Sequence, residues 1–202
     1  LILGFTIRFF STVLNMRSLK SNPPLGLEDV YEGEKYRKSQ EYTRVQSHFG
    51  LIVNSFKIVL LLTFWFIGGF NYIDQAVRLM EWNEIGNGIA FIGILAMLSM
   101  IFNIPLDLYA TFVIEDKFGF NKTTYLTFVL DTLKSIFLTV IIGAPFLIGI
   151  LCFFEYTGSL SWLYAWIFVT VISFVILIIG PIWIMPIFNK FTPIESGKLR
   201  NA

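Results

Sequence analysis

The chain has 202 residues, of which 55% are hydrophobic and only 14% charged, with a formal net charge of +1 and a mean hydropathy of +0.71. A soluble domain carries roughly 25% charged residues, so this balance excludes an ordinary water-soluble globule and points to an all-α, polytopic membrane bundle. A net charge so close to zero draws neither nucleic acid nor anionic substrates, and no nucleic-acid partner is expected.

The charges that remain are clustered. Uncharged windows of 22 residues (85–106), 20 residues (135–154) and 34 residues (156–189) separate them, and a helix needs about 20 residues to cross a hydrocarbon core. The single cysteine, Cys152, excludes an intrachain disulfide and reads as a small apolar filler. The chain opens LILGFTIRFF without Met or a cleavage signal, and it stops soon after a polar segment begins. The expectation is a piece of a longer protein: residues 1–189 form a five-span membrane domain with a truncated first span, and residues 190–202 begin a polar segment that is cut short.

In chain order, residues 1–16 are the tail of a first span, with Arg8 snorkelling toward the interface. Residues 17–48 form a polar linker. It opens with Pro23-Pro24, carries a capping-box pair in Asp29 and Glu32, and sets Glu34 four residues before Lys38. This pattern predicts a loop and then an amphipathic helix on the membrane surface, with Tyr31, Tyr36 and Tyr42 at the interface. A second span runs over 49–73, interrupted by Lys57 and carrying Gly68-Gly69 near its far end, and a short polar loop follows over 74–88. The third span covers 89–114 and contains Pro105 and Asp107; the fourth covers 123–154 with a proline kink at Pro145. The fifth covers 162–185 and ends among Gly180, Pro181 and Pro186.

A polar hinge joins the third and fourth spans. Glu115, Asp116 and Lys117 occupy one turn, and Gly119 breaks the helix between Phe118 and Phe120. Asn121, Thr123 and Thr124 offer side-chain oxygens to start the next helix. A second polar block closes the chain from Pro186 through Phe188, Asn189, Lys190, Phe191 and Pro193. Seven basic residues lie between Arg17 and Lys57, three between Lys117 and Lys134 and three between Lys190 and Arg200, whereas the alternate loops hold Arg78 alone. That bias places the N-terminus outside and the C-terminus in the cytoplasm.

Reactive groups are scarce. One His and one Cys supply too few nitrogen and sulfur ligands for a zinc site, and His48 reads as an interfacial polar residue. No Ser-His-Asp set and no phosphate-cradling glycine loop is present. Thr124, Thr127, Asp131 and Lys134 share one face of the fourth helix, and Asp131 and Lys134 can pair at i, i+3. Such a wet stripe either lies beyond the headgroups or lines a watery cavity. Asp107, two residues past Pro105, raises the same question, because a proline-broken helix with an acid often marks an ion or substrate path. Asp107, Thr127, Asp131 and Lys134 are therefore the chamber or substrate-path candidates; a transporter or channel with Asp107, Asp131 and Lys134 on an ion path is the alternative.

At the hinge, E-D-K-F-G-F-N-K-T (Glu115 to Thr123) resembles a block of the type 1 CAAX prenyl proteases, integral-membrane zinc metalloproteases. The closing P-I-F-N-K-F-T-P-I-E-S-G-K-L (Pro186 to Leu199) resembles the segment that leads from the family's fifth span into its protease domain. S-Q-E-Y-T-R (Ser39 to Arg44) fits the first cytoplasmic loop more loosely. The resemblance implies about five helices that form part of a barrel around a water-filled chamber. It also implies a cytoplasmic, zinc-bearing H-E-x-x-H protease domain, which residues 190–202 would begin and which this chain otherwise lacks, so the parent enzyme would use zinc and this fragment would bind none and cleave nothing alone. The implied partners are the lipid bilayer, the protease domain of the same chain and a peptide or prenylated protein substrate, in a bacterial inner membrane or the endoplasmic reticulum. The hinge residues Glu115 to Asn121 and the closing block are then domain-docking candidates. A scaffold that has lost its protease domain is a third possibility.

Overall fold

The computed structural model describes residues 1–20 and 33–189, and every regular element among them is helical. The expected capping box at Asp29 and Glu32, together with Pro23-Pro24, Tyr31, Lys190, Phe191 and Pro193, lies outside the described residues. The helices are α1 (Ile2–Ser18), α2 (Gly33–Phe66), α3 (Gly69–Arg78), α4 (Glu84–Tyr109), α5 (Tyr125–Tyr156), α6 (Ser161–Ile179) and α7 (Met185–Phe188). A π turn, Ala110–Glu115, extends α4, and a second, Gly180–Ile184, joins α6 to α7.

Two boundaries differ from those the sequence predicts. The surface helix and the second span are one continuous α2 of 34 residues, about 50 Å long at 1.5 Å per residue. Hydropathy changes sharply near Phe49, but the stretch holds no proline, and its one internal glycine, Gly50, costs only about 1 kcal/mol of helix propensity. The solvent around the helix changes; the backbone has no reason to stop. It stops at Gly68, whose φ of +78° is the left-handed conformation that glycine adopts without penalty. Gly69 then lets α3 fold back on α2: a Cβ there would stand 2.4 Å from the Phe64 ring, which packs edge-on against Phe70 at 4.9 Å.

The second difference is α3 itself, which occupies part of the expected polar loop at 74–88. Its buried residues Gly69, Ile73 and Val77 recur every four positions and so share one face, while Asp74 and Arg78, one position further round, pair at 2.9 Å beside it. Asn83 ends the turn that follows, accepting the Gly86 N–H at 2.8 Å as a helix cap for α4. Pro105 and Pro145 both sit inside unbroken helices, which spanning helices tolerate because neighbouring groups re-satisfy the freed carbonyl. The expected stop at Gly180-Pro181 is likewise passed: Pro181 lies in a wider π segment that follows α6 without a gap, and helix continues to Phe188.

The chain divides into two compact units, residues 1–81 with 90–124 and residues 82–89 with 125 onward. In the first, α1 packs on α2, α3 folds against α2, and the π turn after α4 reaches α2, where Tyr109 and Phe49 rings meet at 5.2 Å. In the second, α5 and α6 form the main pair through Phe146 and Phe153 on one helix and Tyr164 and Phe168 on the other.

Four helical stretches, Gly33–Phe66, Glu84–Glu115, Tyr125–Tyr156 and Gly158–Phe188, are long and apolar enough to cross a membrane; α1 has 17 residues. Trp65, Phe137, Phe174 and Leu177 stand outward on these stretches, the arrangement expected when lipid tails replace water as solvent. The chain is a multi-pass helical membrane bundle.

Candidate functional site

The hinge is specified by a helix stop and an aromatic dock, both within the first unit. Gly119 takes φ +70°. Its N–H donates to the Asp116 carbonyl at 2.9 Å, and the Phe120 N–H donates to the Glu115 carbonyl at 2.9 Å. This is the paired bonding of a Schellman stop, which satisfies the last carbonyls of the helix. Asn121 then accepts the Thr123 N–H through Oδ1 at 2.7 Å, closing a local turn before α5.

The dock is Phe118, 4% exposed, which meets the Tyr42 ring of α2 edge-on at 5.4 Å. Tyr42 also meets Phe120 at 4.8 Å, so one α2 side chain contacts the ring on each side of Gly119. Lys38 lies 5.7 Å from the Phe120 centroid, turned to the hinge, and Lys117 lies 5.2 Å from that of Phe118. Lys117 and Glu41 approach to 3.8 Å, but both are more than half exposed, so that pair contributes little beside the aromatic burial. Asp116 is exposed and Glu115 half-buried. Tyr42 and Glu41 fall inside the S-Q-E-Y-T-R block; nothing local in the sequence shows that they meet residues some 76 positions later.

In the second unit, the polar stripe of α5 reaches the end of the last helix. Lys134 Nζ pairs with Asp131 Oδ1 at 2.9 Å and donates to the Ile187 carbonyl at 3.3 Å. It also lies 5.8 Å from the Phe188 ring centroid. The i, i+3 pair is the one that spacing predicts. The reach to Ile187, 53 residues on, supplies a donor to a carbonyl of the final turn, where a cation also suits the helix dipole. Asn189 closes that turn by donating its N–H to the Met185 carbonyl at 3.0 Å. Thr127, Pro186 and Asn189 are exposed, and Phe188 is half-buried. Asp107 is exposed on α4, in the first unit.

Among the described residues no three His, Cys, Asp or Glu side chains gather in a metal-holding group. The one His and one Cys of the whole sequence supply fewer nitrogen and sulfur ligands than the three or four of a usual zinc centre.

Residues 13–190 match a family model described as CAAX prenyl protease N-terminal, five membrane helices. The chain is 34% identical over 212 residues to the CAAX prenyl protease 1 homolog of Arabidopsis thaliana, covering 98% of this chain and 50% of that protein. It is 33% identical over 220 residues to CAAX prenyl protease 1 of Saccharomyces cerevisiae, covering 100% and 48%. Its fold matches the crystal structure of S. mikatae Ste24p with a TM-score of 0.87 and 31% identity, over 99% of this chain and 48% of that one. The chain thus spans about half the length of the curated relatives it matches.

Proposed function

This chain belongs to the CAAX prenyl protease N-terminal family, and from that premise we propose that it forms part of the wall of an intramembrane chamber and carries the catalytic domain of a zinc metalloendopeptidase. The reaction is hydrolysis near the C-terminus of prenylated or other membrane-associated proteins. The zinc ligands and the general base belong to a further domain of the full-length protein; the single His and single Cys of this chain fall short of a usual ligand set.

The observation that carries the reading is the family match over residues 13–190. The Lys134 tether adds to it, because it holds the helical turn from which the closing polar block departs. A bundle helix secured at that turn gives a following domain a defined point of departure. The hinge, docked on α2 through Phe118, belongs to the same cytoplasmic side by its basic residues. The ion-path alternative gains nothing from the comparisons.

The decisive assay uses the full-length protein in detergent or nanodiscs, with a peptide ending in a prenylated cysteine and three further residues. Release of the C-terminal tripeptide, abolished by a chelator and restored by zinc, is the expected result. Intact peptide under conditions where the protein is folded and metal-loaded overturns the reading. Orientation has its own test. Cysteine at Asn83, in the turn before α4, is expected to react with an impermeant thiol reagent from the non-cytoplasmic side; labelling only after the membrane is breached reverses the proposed topology.

A further inference from the structure

The groove between α1 and α2 holds two cations that the reading above leaves unused. It is an open groove of about 350 Å3, lined by Arg8 and Thr12 from α1 and Asn54 and Lys57 from α2 and framed by apolar side chains such as Phe5 and Leu51; Arg8, Asn54 and Lys57 are exposed along it. The two helices run antiparallel. At one end the Leu19 carbonyl accepts from Arg44 at 3.3 Å, and at the other Leu1 and Leu61 border the same groove.

Arg8 lies nine residues from Arg17, and Lys57 nine from His48, so both enter at a similar depth, about 14 Å along the helices from their polar ends. Neither forms a hydrogen bond or ion pair with another described residue, and the described residues that line the groove include no Asp or Glu. A cation at that depth is costly without a partner, and intramembrane cations ordinarily mark a pathway or a counter-ion.

The donor set defines the missing anion. A planar guanidinium fork, an ammonium, a hydroxyl and an amide line one open groove, a donor set that suits a group with two acceptor oxygens. A phospholipid phosphate sits at headgroup level, well above the middle of α2's apolar stretch. A carboxylate carried on an apolar chain matches both the depth and the apolar frame. We propose that the α1–α2 groove binds the free α-carboxylate of an apolar C-terminal peptide. This deepens the peptidase reading and rests on it for the source of the peptide.

The test is equilibrium binding to the full-length protein in phosphatidylcholine nanodiscs, using a fluorescent apolar peptide as the free acid and as its C-terminal amide. The acid is expected to bind about tenfold tighter or more, the worth of a charge-assisted hydrogen bond. Arg8→Gln combined with Lys57→Gln removes that preference and leaves amide binding and the melting temperature unchanged. Lys57→Met, which sets an apolar side chain in an apolar span, lowers the preference in the same direction and guards against a double variant that fails to fold. An acid preference absent from the wild type, or undiminished in the variants, overturns the site. Displacement of the acid peptide by an equal concentration of palmitate overturns the peptide assignment in favour of a fatty-acid carboxylate. Binding is read without cleavage, so a protein that prefers the acid but hydrolyses nothing fails the peptidase reading alone.

Discussion

Phe118→Ala is expected to destabilise the protein by about 3 kcal/mol, the lower end of the range for truncating a buried phenylalanine. Phe118 is among the few side chains of the described residues that protein alone almost fully covers, at 4% exposure. Elsewhere in the bundle large apolar side chains face outward, so lipid can fill much of the space a truncation leaves. At Phe118 the partners are Tyr42, edge-on at 5.4 Å, and the Lys117 ammonium, 5.2 Å from the ring centroid, and removing the ring leaves a gap between α2 and the hinge. Phe120 is the internal control: it meets the same tyrosine at 4.8 Å but is 50% exposed. Thermal unfolding of the full-length protein in detergent should show a clearly larger drop for Phe118→Ala than for Phe120→Ala. Equal losses would refute burial as the source of the effect.

Gly119→Val is expected to cost roughly 1–3 kcal/mol, the penalty for a non-glycine residue held in the left-handed region, with valine's branched Cβ favouring the upper part. The cost is conformational rather than steric. The nearest atom to an added Cβ is Lys38 Nζ at 3.8 Å, so there is room for a side chain but no comfortable backbone for it. If φ leaves +70°, the bonds from the Gly119 and Phe120 N–H groups to Asp116 and Glu115 are lost with it. Gly143→Ala, inside α5 with Thr139 Cγ2 at 3.9 Å, should instead be neutral or stabilising by up to about 1 kcal/mol, because alanine is the better helix former. Folded yield and melting temperature of the two variants should move in opposite directions or differ widely. Matching behaviour would mean that the stop at Gly119 is not what defines the hinge.

These two residues show how far local chemistry carries. The stop at Gly119 is legible because a glycine beside charged residues, followed by Asn and Thr, is a local signal, and the bonds that realise it span only a few positions. The partner of Phe118 is not legible, because Tyr42 lies 76 residues earlier and nothing in either stretch names the other. The α5 stripe divides the same way: Asp131 and Lys134 pair at a spacing that helix geometry dictates, while the Ile187 carbonyl that Lys134 also reaches depends on how the final helix packs against α5.

The sequence by itself determined the class of the molecule, its long apolar helices and the position of the hinge. Lipid solvent demands apolar stretches about 20 residues long, and helix stops are written in a few adjacent residues. It misjudged α2 and the stretch at 74–88, because hydropathy reports the surroundings of a helix and not its continuity. A polar-to-apolar change near Phe49 is a change of solvent around an unbroken hydrogen-bond ladder, and an amphipathic stretch of ten residues becomes α3 only when Gly69, Ile73 and Val77 find a surface to cover. Tertiary structure alone decided which polar residues meet: Tyr42 with the hinge, Lys134 with the final turn, and Arg8 with Lys57 in one groove. Such meetings follow from helix packing, where the contact energy is spread over many weak apolar contacts and no single residue announces its partner.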